Sequence, residues 1–213
     1  MSRDRSKGKQ GAAAAVREQR EQAQRKRRLW LTVGAAVVIV VAAVAVYRMR
    51  DDSRFTASVT TTKYPAAQHL AGPLTYRESP PMGGPHNVAW QNCGIYTVPL
   101  HNEHAVHALE HGAIWITYRP DLAPAEVQRL QAIASEDYML LSPYPGLPAP
   151  VVASAWNRQI RLAGADDPQL PRFIRKFKNN PATTPEFGAS CLSGTTATAA
   201  DDSLNMRAGP MAR

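Results

Sequence analysis

Residues 80–118, PPMGGPHNVAWQNCGIYTVPLHNEHAVHALEHGAIWITY, decide how this chain is read. They hold five of its six histidines (His86, His101, His104, His107 and His111), two of its four tryptophans (Trp90 and Trp115) and one of its two cysteines, Cys93. An apolar interior is filled by Leu, Ile and Val, so such crowding of polar rings points to a site. Local signals give the stretch a fold. PPMGGP carries three prolines and two glycines, which fix a path of tight turns into His86. GIYTVP (94–99) reads as a short strand. Asn102 as N-cap and Gly112 as C′ residue bracket a short helix over EHAVHALEH. AIWITY (113–118) has the β-branched and aromatic content of a strand.

Downstream, DLAPAEVQRLQAIAS places Pro124 in a first helical turn, with Val127, Leu130 and Ala134 at helical spacing. YMLLS (138–142) reads as a buried strand. VVASAW (151–156) and QIRLA (159–163) give one or two more strands after the rigid loop PYPGLPAP. Asp167 and Pro168 introduce a third helix that carries Leu170, Phe173, Ile174 and Phe177 on one face. After Cys191 the chain is Ser, Thr, Ala and Asp, and residues 192–213 are expected to be a disordered tail. The fold expected over residues 75–191 is therefore α+β, with a small mixed or antiparallel sheet and about three short helices.

Upstream, the charge is uneven. Residues 1–28 hold ten Lys/Arg and three Asp/Glu (+7), and the remaining residues hold fifteen and fourteen (+1), which together make the net +8. The basicity belongs to the arm and not to a nucleic-acid-binding groove, and no basic face with interleaved aromatics is present. Leu29 to Tyr47, LWLTVGAAVVIVVAAVAVY, has no formal charge and as a helix spans about 28 Å, the thickness of a hydrocarbon layer. The reading is a basic cytoplasmic arm (1–28), a transmembrane helix (29–47), a linker (48–74) and a domain outside the membrane. Cleavage after AVA (43–45) is the alternative, in which the run is a signal sequence. Two cysteines in an exported domain, Cys93 and Cys191, most simply form a disulfide. A thiolate metal ligand or a redox pair are the other uses, although no C-x-x-C spacing is present.

On the central helix, residues three or four apart share a face, so His104, His107 and His111 point roughly together. Imidazole suits zinc and copper, and His86 is the expected third ligand. Met82 would add a thioether, which favours copper. His101 and His104 are the weakest members, and His69 looks isolated in the linker. HALEH (107–111) also fits the H-x-x-E-H pattern of inverzincin metallopeptidases, in which Glu110 would be general base and Glu186 a distant third ligand. Such enzymes need a larger domain than the roughly 130 residues here. No Walker, Rossmann or G-x-S-x-G pattern occurs.

PPMGGPHNVAWQNCGIY, VHALEHGAIWITYRP, SPYPGLPAPVVASAW and PEFGASC together resemble the domain-of-unknown-function family 3105 (DUF 3105), over about residues 75–191. The family pattern falls on Pro81, Gly84, His86, Trp90, Gly94, Tyr96, His107, Leu109, Glu110, His111, Gly112, Tyr118 and Pro120. Met82, His101 and His104 fall outside it, which favours His86, His107 and His111 as the ligand set. The resemblance implies a membrane-anchored exported domain of the kind found mainly in actinobacteria. It implies no reaction, because the family has no established activity. The function expected is binding of copper or zinc in metal handling or envelope homeostasis. The alternatives are a non-catalytic envelope module built on a histidine–aromatic core, with an envelope protein as partner, and a small zinc hydrolase.

Overall fold

The computed structural model describes residues 3–201, in two units: Met1–Arg54 and Phe55–Arg213. The first is helical. α1 (Arg3–Ser58) runs without a break through the basic arm and the apolar run, and its segment Gln24–Ser58 is long and apolar enough to cross a membrane. Leu29, Trp30, Ile39, Val40 and Tyr47 are all exposed among the described residues. The helix continues past Tyr47 to Ser58, so the first part of the segment 48–74 is helical.

The second unit is α+β, with a six-stranded mixed sheet among the described residues. The strands are β1 (Thr60–Thr61), β2 (Gly94–Ile95), β3 (Ile114–Tyr118), β4 (Met139–Pro143), β5 (Val151–Ala155) and β6 (Arg158–Leu162), in the order β1-β6-β5-β3-β4-β2. β3 pairs parallel with β4, which pairs parallel with β2. The β3–β5, β5–β6 and β1–β6 pairs are antiparallel. The β5–β6 hairpin turns at Trp156–Asn157, where Asn157 takes φ 62°, a left-handed conformation that Asn tolerates better than most residues.

Side chains alternate across the central strands, as the pleat requires. Ile114, Ile116 and Tyr118 of β3 and Met139 and Leu141 of β4 face one way. They pack with Leu130 of α3 (Pro124–Ile133), with Leu170, Phe173 and Phe177 of α4 (Gln169–Phe177), and with Phe55. Trp115 and Leu140 face the other way, against Ala105, Val106, Ala108 and Leu109 of α2 (Asn102–Glu110) and against Trp156 and Cys191. Each large apolar side chain so buried contributes about 1.5–3 kcal/mol. The sheet is thus covered on both faces, and α2 carries the histidines on one of them.

The ends of α2 fix the register of its rings. The N-cap is His101, without a side-chain capping bond, and Asn102, expected as the cap, is the first helical residue. At the other end Gly112 stands at φ 102°, with Gly112 N–H bonded to Leu109 O (3.0 Å) and Ala113 N–H to Ala108 O (3.0 Å). These are the two bonds of a Schellman stop, which needs the left-handed residue at C′. A Cβ there would meet Asn179 Cα at 2.9 Å and Thr184 Cγ2 at 3.0 Å. Gly112→Ala is therefore expected to cost about 1–3 kcal/mol, from the strained φ and the crowding. Urea unfolding midpoints of the two proteins measure it, and an unchanged midpoint would show that the turn relaxes freely.

Cys93 and Cys191 are paired, with their Cα atoms 5.4 Å apart. The segment after Cys191 is held rather than loose as far as residue 201. Thr195 brackets the 90–92 backbone with two bonds of 2.8 Å, and Ala199 N–H donates to Pro99 O at 2.9 Å. Residues 202–213, also expected to be disordered, lie outside the described residues.

Candidate metal centre

Four histidine rings are oriented by the same device. Each lies with Nδ1 on a backbone carbonyl: His86 on Gly84 (2.8 Å), His104 on Ala89 (2.7 Å), His107 on Asn87 (2.7 Å) and His111 on Ser190 (2.6 Å). A ring that donates its Nδ1–H in this way presents an unprotonated Nε2, the tautomer a metal ligand needs. The carbonyls belong to the loop before α2 and to the strand of chain beside Cys191, so the turn-rich 80–92 segment sets the rings' directions.

Two donor groups result. His69, His86, His107 and Glu110 offer one donor atom each, all within 4.8 Å of one another, and His107, His111 and Glu186 do the same. In the first group the ring centroids stand 4.9 Å (His69–His86), 4.8 Å (His69–His107) and 4.7 Å (His86–His107) apart. His86, His107 and Glu110 are buried and His69 is exposed, so the group has one face toward solvent. In the second group His111 Nε2 lies 3.1 Å from Glu186 Oε2, and the Glu186 side chain is 38% exposed. Trp90 flanks it, with centroids 4.9 Å from His111 and 5.7 Å from His107.

The closest contact in the first group is His86 Nε2 to Glu110 Oε2, at 2.8 Å, with both side chains fully buried. The two side chains form a buried histidine–carboxylate pair at hydrogen-bonding distance. Two donors that share one tetrahedral cation, each about 2.0–2.2 Å from it, stand about 3.3–3.6 Å apart. At 2.8 Å the pair stands closer than that, and would part by about half an ångström to admit an ion.

Charge agrees. Burial pushes the His107 ring down to about 3, aided by the neighbouring His86 and His111 rings, against the opposing pull of the Asn87 carbonyl. It is therefore neutral near pH 7 and need lose no proton to bind an ion. Burial works to raise the Glu110 carboxyl, but the adjacent His86 ring, the Ala67 N–H and His107 outweigh it and hold the group below its ordinary range. The centre thus offers a negative Glu110 beside the neutral His107 ring.

Both Glu110 oxygens are engaged, Oε1 by the Ala67 N–H at 2.7 Å and Oε2 at His86. A general base needs a free oxygen facing a water, so this geometry speaks against the hydrolytic use of H-x-x-E-H. Ala67 itself stands at φ 57°, a strained conformation for a residue with a Cβ, in the strap that carries His69.

His86, His107 and His111 are brought together, though divided between two groups that share His107. His104 is buried but belongs to neither group, and His101 reaches Asp201 O with Nε2 at 2.7 Å. Met82 is fully buried, and its carbonyl accepts the Asn157 N–H at 2.6 Å. His69, which looked isolated in sequence, stands in the first group because residues 68–70 pair in parallel with His86: His86 N–H to Gln68 O (3.0 Å) and Leu70 N–H to His86 O (2.8 Å). Nothing local marks that pairing.

A family model described as "Protein of unknown function (DUF3105)" matches residues 68–193, a span that reaches back to include His69. No curated protein and no solved structure matches the chain.

Proposed function

This chain belongs to the DUF3105 family, and we propose that it is a membrane-anchored, extracytoplasmic metal-binding module that seats one divalent transition ion among His69, His86, His107 and Glu110. The observation that carries this reading is the convergence of one donor atom each from His69, His86, His107 and Glu110, all within 4.8 Å of one another and three of the four residues buried. A set of three imidazoles and one carboxylate suits zinc or copper(II), and its hard oxygen makes it a poor match for copper(I). With three donors buried and His69 at the surface, the site suits holding and exchanging an ion better than turning over a substrate. The basic arm ahead of the apolar helix supports a cytoplasmic N-terminus, with the domain outside and serving metal handling in the envelope.

The rival is a structural module in which the rings serve as hydrogen-bonded core. It is favoured by the four Nδ1–carbonyl bonds, which tie the 84–92 loop and Ser190 to α2. Elemental mass spectrometry of the full chain, purified in detergent without a histidine tag, separates the two. The expected result is about one zinc or copper per chain, held less tightly after Glu110→Gln, since a tetrahedral site loses one of its four donors. A folded wild-type chain that refuses both metals would establish the structural rival instead.

A further inference from the structure

His107 belongs to both donor groups, yet it has one donor atom to give. Its Nδ1 is held by the Asn87 carbonyl at 2.7 Å, so Nε2 alone faces the ligand space on either side. We infer that one ion has two alternative seats, an inner one among His69, His86, His107 and Glu110 and an outer one among His107, His111 and Glu186, and that it moves between them by exchanging partners around His107. This inference rests on the metal-binding reading above.

The two seats differ in kind. The inner has four donors, with both the carboxylate and two of its rings buried. The outer has three, which leaves a tetrahedral ion one position for water, and Glu186 is partly exposed there. An ion therefore meets the outer seat with little desolvation, then reaches the inner one by giving up His111 and Glu186 and gaining His86 and Glu110. His107 stays bound throughout, so the ion is never stripped of protein donors during the transfer. Its ring centroid is 4.6 Å from that of His111 and 4.7 Å from that of His86, nearly midway. No bond is broken other than metal–ligand bonds, and no oxidant or reductant is required.

Trp90, against His111 and His107, and Trp156, 5.7 Å from His86, supply a reporter for each seat. The test loads the metal-free full chain in detergent with Cu2+, which quenches nearby indoles, and follows emission by stopped flow in Trp90→Phe and Trp156→Phe backgrounds. Saturation is expected at about one ion per chain, as one shared imidazole dictates. Quenching of Trp90 is expected to precede that of Trp156. Glu186→Gln should slow loading several-fold relative to wild type, and its partly exposed position makes it a mild change to the fold. Glu110→Gln should keep the ion beside Trp90 and release it to a chelator several-fold faster than wild type. Two ions bound at once, or Glu186→Gln loading at the wild-type rate, would overturn the two-seat inference while leaving single-site binding intact. A wild-type chain that takes no Cu2+ would overturn both.

Discussion

A His107→Ala chain is expected to purify without stoichiometric zinc or copper and to gain no thermal stability from either. His107 is the donor common to both groups, and its ring is already neutral and already aimed. For the wild-type chain, an ion at a thousand times its dissociation constant stabilises the folded state by about 4 kcal/mol. For a domain of this size that is a rise in Tm of about 10 °C. Calorimetry with and without added zinc measures the difference. The variant will also be weaker without metal, because the buried Asn87 carbonyl loses its donor at a cost of about 1–3 kcal/mol. The decisive quantity is therefore each protein's own shift on adding metal. An equal shift in both would place the ion elsewhere.

Removing the disulfide is expected to have the largest effect on stability alone. Cys93 and Cys191 are 98 residues apart in sequence, and the chain-entropy account credits a closed loop of that length with up to about 4.7 kcal/mol. Their backbones are also joined, Cys93 N–H to Cys191 O at 2.8 Å, and Cys191 is buried against the α2 side of the sheet. A Cys93→Ser, Cys191→Ser chain should lose about 2–5 kcal/mol in urea unfolding. The next residue back is Ser190, whose carbonyl aims His111. The same variant should thus hold metal at the outer seat more weakly than wild type does. A loss below about 1 kcal/mol would mean that the bonds of the 90–101 segment to residues 191–201 hold this region without the staple.

The parts of the fold that could be read in sequence are those whose signals are local and periodic. AIWITY and YMLLS became β3 and β4 because a strand covered on both faces has no polar side to show. Leu170, Phe173, Ile174 and Phe177 became the buried stripe of α4 by their spacing alone. Gly112 marked its helix end through the one conformation that suits glycine best. For the candidate site, His86, His107 and His111 were singled out by crowding and turn chemistry. His69 was not, because its place depends on a backbone pairing across 17 residues that neither hydrophobicity nor spacing records. Glu110 was seen as a base and stands as a ligand candidate, a distinction made by the Ala67 N–H, which only the folded strap delivers. The helix past Tyr47 and the hydrogen bonds past Cys191 left no mark in the sequence for one reason. Polar composition implies solvent exposure, and exposure does not preclude a helix or a hydrogen-bonded path.

At the tip of the β5–β6 hairpin, Asn157 accepts from Thr62 Oγ1 (2.8 Å) and the Tyr64 N–H (2.7 Å), donates to Tyr64 O (3.0 Å), and sends its own N–H to Met82 O (2.6 Å). One side chain and one amide thus anchor the strap that leads to His69 and the turn that leads to His86. Contacts across more than ninety residues form late, after the entropy of the intervening loop has been overcome. On a chain synthesised from its N-terminus, both approaches to the centre must wait for residue 157 to emerge and the hairpin to close. The proposed inner seat is therefore a certificate of completed folding: a chain stalled or cut before the hairpin carries all six histidines in sequence but has no place to put the ion.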